Sequence, residues 1–253
     1  LSTPGLADIV INGEKVCTTS DTPMAEDAFI ITESTGSINL EKGRNYPISI
    51  EYRPRTGGAS GMHSLRIGCQ PPLPSDILER AASAAGRADV ALVFVGMTPE
   101  YESEGFDRAS FDLPSIQVEL IRKVVAANPK TVVILNNGSP VGMQAWIAGV
   151  PAVLEAWFYG QEGGNAVADI LLGYVNPSGR LPDTFPVRIE DTPAFLDYPG
   201  ENGKVAYSEG IFCGYRYYDA RKLTPMFPFG YGLSYTTFSY DKLFISPQTL
   251  QQG

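Results

Sequence analysis

Two patterns of apolar residues divide the chain, and a proline-rich stretch near residue 70 separates them. Ahead of it, apolar residues come in short runs broken by turn residues. Ile9-Val10-Ile11 meets Asn12-Gly13, a pair suited to a two-residue hairpin turn, and Lys15-Val16-Cys17 follows on the other side. Ile38-Asn39-Leu40, Lys42-Gly43 and the alternating run from Tyr46 to Tyr52 predict a second turn and a strand. Leu65-Arg66-Ile67 predicts a last short strand. Several short strands with such turns predict a β-sandwich, or part of one, over residues 1–69.

Gln70-Pro71-Pro72-Leu73-Pro74 reads as a stiff linker, assigned to residues 70–75. Ser75 and Asp76 are placed to cap an alanine-rich helix through about Ala85. Val90 to Val95 is a continuous apolar run, the mark of a strand buried on both faces. Ile116, Leu120, Ile121 and Val124 make a helical stripe, and Thr131 to Leu135 is another apolar strand. Gln144 to Ile147 reads as helical, Ala152 to Trp157 as a third strand, and Asn165 to Leu172 as another helix. Helices alternating with apolar strands predict a parallel sheet covered on both sides. Ligands usually bind at the C-terminal edges of such strands. Beyond Gly179-Arg180-Leu181-Pro182 the periodicity fades into a loop rich in aromatics, glycine and proline. It returns as β alternation at Ser234 to Tyr240, which predicts the first strand of a further module.

Charge and composition narrow the functions. The net charge of −9 repels phosphate backbones, so nucleic acid and anionic membranes are not expected partners. No apolar run approaches the roughly 20 residues of a membrane span. The chain opens on Leu1 and closes on Gln251-Gln252-Gly253, and both ends read as cut. Cys17, Cys69 and Cys213 are widely spaced and include no Cys-x-x-Cys pair, so no zinc site or other metal is expected. Free thiols, or one disulfide joining Cys17 and Cys69, both fit. His63, the only histidine, lies outside the α/β region, which argues against a Ser-His-Asp hydrolase, as does the lack of Gly-x-Ser-x-Gly.

The densest polar cluster is Glu100-Tyr101-Glu102-Ser103-Glu104-Gly105-Phe106-Asp107-Arg108, just after the strand ending at Val95. Crowded carboxylates repel one another, and that repulsion can hold a proton on one glutamate near neutrality, as a general acid requires. Arg108 would counter the remaining charge. On spacing alone a solvated acidic loop fits better. Gly160-Gln161-Glu162-Gly163-Gly164 lacks a Lys-Ser/Thr ending and fits close backbone packing better than a phosphate cradle. Trp146 and Trp157 fit core positions. Asn137-Gly138-Ser139 fits a glycosylation sequon but directly follows a buried strand, so no glycan is expected there.

Glu104 to Arg108, then Leu113-Pro114, Gln117 and Leu120-Ile121, resemble the acid/base loop and following helix of glycoside hydrolase family 3. Asn136 to Val141, Ala156 to Gly164, Pro177 to Pro182, Phe185-Pro186, Gly214 to Asp219 and Phe227 to Thr236 resemble the same family in order, so that the resemblance covers about residues 76–240. Asp8 to Gly13, Leu40 to Tyr46 and Ile48 to Tyr52 resemble the second half of a protective-antigen-type β-sandwich, which some members insert.

The resemblance implies an α/β plus β chain. Its parts are half of that sandwich over 1–69, the later half of an α/β sandwich over 76–224, and the start of a fibronectin type III-like domain over 225–253. It implies a retaining exo-β-glycosidase, most consistent with a β-glucosidase, acting on a β-glucoside or oligosaccharide without a cofactor. Glu104 would be the acid/base, Glu102, Asp107 and Arg108 its supports, and Phe29 a candidate substrate contact. The nucleophile would be an aspartate in an N-terminal barrel, about 5–5.5 Å from the acid; no Ser-Asp-Trp-like segment occurs in these 253 residues. A β-xylosidase of the same family and a non-catalytic carbohydrate-binding module are the alternatives.

Overall fold

A computed structural model describes residues 1–3, 5–19, 33–54 and 65–246. The chain forms two compact units, Leu1–Ile77 with Ser103–Asp107, and Leu78–Glu102 with Arg108–Gly253. Phe29 and His63 lie outside the described residues.

The first unit is built on β1 (Leu6–Ile11), β2 (Glu14–Thr18) and β3 (Ile48–Arg53), antiparallel in the order β2-β1-β3. Asn12 and Gly13 both take positive φ, 53° and 82°. That is the turn whose twist matches a tight hairpin, so β1 runs straight into β2. Leu1, Ala7 and Cys17 form a small buried cluster with Ile9, Tyr52 and Leu65 around it. The sequence predicts more strand than forms. Ile38 to Leu40 carries none, and Leu65 to Ile67 contributes one bridge, Arg66 to Ser2. Ile48 and Ile50 share one face of β3 yet are 62% and 39% exposed, because no second sheet among the described residues of this unit packs on them.

The second unit centres on a parallel sheet of β4 (Ala91–Gly96), β5 (Thr131–Asn136) and β6 (Ala152–Glu155), in that order. Its helices are α1 (Ile77–Ala85), α2 (Ser115–Ala127), α3 (Gly163–Leu171) and α4 (Tyr215–Arg221). In α2 the apolar stripe turns Ile121 and Val124 into the core, and the helix stops at Asn128 because Pro129 drives that residue to extended backbone (φ −142°). Asn128 is itself buried. Its Nδ2 donates to Ala85 O and Ala88 O, and its Oδ1 accepts from Lys130 N–H, so one side chain joins the ends of α1 and α2 to the start of β5.

Ala91, Val93 and Val95 of β4 and Val133 and Leu135 of β5 share the main core with Ile121, Val141, Met143, Trp146 and Phe185. The opposite face of β4 departs from expectation. Leu92 and Phe94 are 48% and 55% exposed, so this strand is buried on one face only. An apolar run specifies that both faces suit burial; only a covering layer delivers it.

Three further expectations change. Gln144 to Ile147 forms a single turn, closed by Trp146 and Ile147 N–H to Met143 O, rather than a helix. Within the aperiodic stretch, α4 forms, ended by Lys222 in the left-handed region. Ser234 to Tyr240 forms no strand despite its alternation. Asn176 meets it with its side chain: Tyr235 N–H donates to Asn176 Oδ1, and Asn176 Nδ2 donates to the Thr236 hydroxyl. Nearby, the Gly-Arg-Leu-Pro and Phe-Pro-Phe-Gly motifs lie side by side, joined by Leu181 N–H to Tyr231 O and a Phe185–Phe227 bridge. All three cysteines are free, Cys17 buried and Cys69 and Cys213 exposed.

Candidate active site

Of the loops released at the C-terminal ends of the three parallel strands, the one after β4 carries Glu102, Glu104, Asp107 and Arg108. Gly96 ends β4, Asn136 ends β5 and Glu155 ends β6. The loop after β4 returns through Glu102, whose carboxylate accepts from Gly138 N–H at 2.9 Å and from Ser139 Oγ at 2.7 Å. Gly138 has no room for a side chain, since a Cβ would fall 2.5 Å from the Phe158 ring and 3.2 Å from Glu102 Oε1. Glycine there lets the two loops close on each other.

Arg108 leaves the acidic segment and donates from Nη2 to Pro140 O at 2.7 Å. Burial pulls its guanidinium below the ordinary value, and the charge of Glu102 opposes that shift. Its Nη1 is buried without a partner among the described residues. Glu102 and Arg108 therefore both engage the Gly138–Pro140 loop.

Glu104 and Asp107 belong to the segment Ser103–Asp107, which groups with the first unit. Glu104 is exposed, at a turn where Ser103 bridges Phe106 and Gly105 N–H donates to Ser103 Oγ at 3.2 Å. An exposed carboxyl on a tight turn is able to reach a solvent-borne ligand. Phe29 falls outside the described residues.

The proton-holding carboxyl of the second unit is one that the acidic loop did not single out. Glu155 ends β6, where its Oε1 accepts from Trp157 N–H at 3.0 Å and its Oε2 faces Asn137 Nδ2 at 3.4 Å. Its pKa is pushed up to about 7, chiefly by burial; the two donors oppose the shift and repulsion from Glu102 adds to it. Loop crowding is thus the smallest cause of this shift. A sequence signal existed, a lone carboxylate in the otherwise apolar Ala152 to Trp157.

The glycine-rich Gly160 to Gly164 segment serves packing: a Cβ on Gly163 would lie 1.5 Å from the Tyr159 ring. Trp146 is buried, its Nε1 donating to Gly142 O, and the Trp157 ring lies 5.9 Å from that of Phe185. Asn137 is fully buried, its Nδ2 committed to Ser139 O at 2.9 Å, which leaves the sequon amide no access to a glycan.

The chain is also similar to known proteins. The glycosyl hydrolase family 3 C-terminal domain matches residues 24–235. A β-glucosidase of Rhizobium radiobacter is 40% identical over 249 residues, covering 95% of this chain and 30% of its own length. Thermostable β-glucosidase B of Acetivibrio thermocellus is 49% identical over 181 residues, covering 72% of this chain and 24% of its own length. The crystal structure of β-glucosidase from Kluyveromyces marxianus in complex with glucose matches with a TM-score of 0.81 at 36% identity, covering 93% of this chain and 28% of that one. The chain thus spans less than a third of the length of these relatives. On the family match and on these identities, it belongs to glycosyl hydrolase family 3 and carries that family's C-terminal domain.

Proposed function

We propose that this chain is part of a retaining exo-β-glucosidase that removes terminal non-reducing β-D-glucosyl residues, and that Glu104 is its acid/base. The observation that carries this reading is the exposed Glu104 on the loop after a parallel strand, two residues beyond Glu102, which anchors that loop to Gly138 and Ser139. Relatives of this chain named β-glucosidases supply the substrate class.

In such an enzyme Glu104 protonates the departing glycosidic oxygen while an aspartate attacks the sugar carbon from the opposite face. Glu104 then takes a proton from the water that releases the sugar. The aspartate comes from an N-terminal barrel. Residues 1–69 are read as half of an inserted protective-antigen-type sandwich, 70–75 as a linker, 76–224 as the later half of the α/β sandwich, and 225–253 as the start of a fibronectin type III-like domain. Asp107 and Arg108 support the loop, and Phe29 is a candidate substrate contact.

Acid assistance is worth about 10²–10⁴-fold and matters most for poor leaving groups. In the parent enzyme, Glu104→Ala is expected to abolish most turnover of alkyl β-glucosides and to spare the first step on a dinitrophenyl glucoside. The trapped glycosyl-enzyme then lacks its base, and azide should release it as β-glucosyl azide. Glu102→Ala is the control, expected to lower activity without azide rescue. Rescue of Glu102→Ala and not of Glu104→Ala would move the acid/base to Glu102.

A further inference from the structure

The acid/base loop begins at Glu102, and the carboxylate of Glu102 is not free to choose its position. Both of its oxygens are held, one by Gly138 N–H and one by the Ser139 hydroxyl. Those donors belong to the loop after β5, whose shape is fixed in turn by Asn137. Asn137 is fully buried, donates to Ser139 O at 2.9 Å, and faces Glu155 Oε2 at 3.4 Å. Glu155 is locked at the end of β6 by Trp157 N–H. Asn136 Nδ2 donates to Trp157 O, and Ala156 N–H to Leu135 O, so the ends of β5 and β6 are tied twice more. The links run in one direction across the sheet edge, from β6 to β5 to the loop after β4.

This chain of contacts is buried or half-buried except at Gly138, which is exposed, and the lone pairs of Glu155 are turned onto protein donors. What it controls is where the segment leading to Glu104 begins. We infer that Glu155 is a positioning residue for the acid/base, acting through Asn137, Ser139 and Glu102. This rests on the reading of Glu104 as the acid/base and adds to it a residue on a different strand, 51 positions later in the sequence.

The ionisation of Glu155 bears on the same contacts. The groups facing it are Glu102 from the loop after β4, Asn137 from the loop after β5 and Trp157 N–H from its own strand end, with Arg108 opposite Glu102. Burial pushes the Glu155 carboxyl up to about 7, so near neutrality it changes charge beside Glu102. A side chain at 155 that cannot ionise removes that change and keeps the volume.

The test compares Glu155→Gln with wild type in the parent enzyme on two substrates, an alkyl β-glucoside and a dinitrophenyl β-glucoside. Misplacing an acid penalises only the substrate that needs it. The expected result is a loss of kcat on the alkyl glucoside of about 10-fold or more, with KM little changed, against a much smaller loss on the dinitrophenyl glucoside. The alkaline limb of the alkyl-glucoside profile should also move. A uniform loss on both substrates would mean a merely structural role, and no loss would mean no role; either overturns the inference. Ser139→Ala removes only the hydroxyl that reaches Glu102 and carries the same expectation should Glu155→Gln fail to fold. Azide treatment separates the two readings. Rescue of Glu104→Ala with no selective effect at 155 would sink this inference and keep the acid/base assignment. Rescue of Glu155→Gln, but not of Glu104→Ala, would make Glu155 the acid and overturn both.

Discussion

A carboxyl at the end of a buried strand is costly to ionise unless its charge is answered. Two N–H donors do not offset the burial of Glu155, and its proton is held up to about pH 7 against an ordinary value of 4.5. The folded protein therefore binds this proton more tightly than the unfolded chain does. The stabilisation is complete below the unfolded pKa and is lost as pH rises through the folded one. Glu155→Gln should consequently gain stability relative to wild type between about pH 5 and about pH 7.5, by at most roughly 3 kcal/mol. Denaturant unfolding of the two proteins at both pH values checks this, and a difference that ignores pH would contradict it. Glu104 stood out in the sequence because an alternating acidic run and a contiguous motif surround it. Glu155 had only one carboxylate in an apolar run to mark it, and its meaning depends on Asn137, 18 residues away.

Elements were legible where their signal is local. The Asn12-Gly13 turn, the stripe of α2 and the apolar runs of β5 and β6 each specify their own conformation from neighbouring residues. β4 shows what an element owes to another. It is the edge strand of the described sheet, so its final residue lacks one ladder partner. The Gln117 side chain on α2 supplies it: Gly96 N–H donates to Oε1 and Nε2 donates to Gly96 O, both at 2.9 Å. Gly96 itself admits no side chain, because a Cβ would lie 1.9 Å from Asn136 O. Gln117→Ala leaves both half-buried backbone groups unpaired and should cost about 2 kcal/mol. A shift in the urea midpoint measures it; an unchanged midpoint would show that water replaces the amide at no cost. Where alternation was read without its neighbours, as at Ser234 to Tyr240, no strand formed, and the Tyr235 N–H went to a side chain instead.

At the scale of the whole chain, apolar surface remains open. Leu92 and Phe94 face outward from the sheet, and Leu196, Tyr240 and Leu243 are more than nine-tenths exposed. Surfaces of this kind are built to be covered. With the proposed nucleophile on a barrel, the 253 residues alone are expected to hydrolyse no aryl β-glucoside. Assay of the purified chain tests this directly, and turnover at ordinary enzymatic rates would place a complete catalytic pair within it.

By itself the sequence determined the family, the alternation of parallel strands with helices, the β-hairpin and the acidic loop that follows β4. Each of these is written in neighbouring residues: a turn pair, a periodicity, an ordered set of motifs. Tertiary structure alone decided which face of β4 is covered and which carboxyl holds a proton near neutrality. It also decided how the acidic loop is anchored, and what becomes of the Ser234 to Tyr240 segment. Those outcomes depend on partners 18, 36 and 59 residues apart. Desolvation and hydrogen bonding act between groups that packing brings together, and no local pattern encodes that meeting.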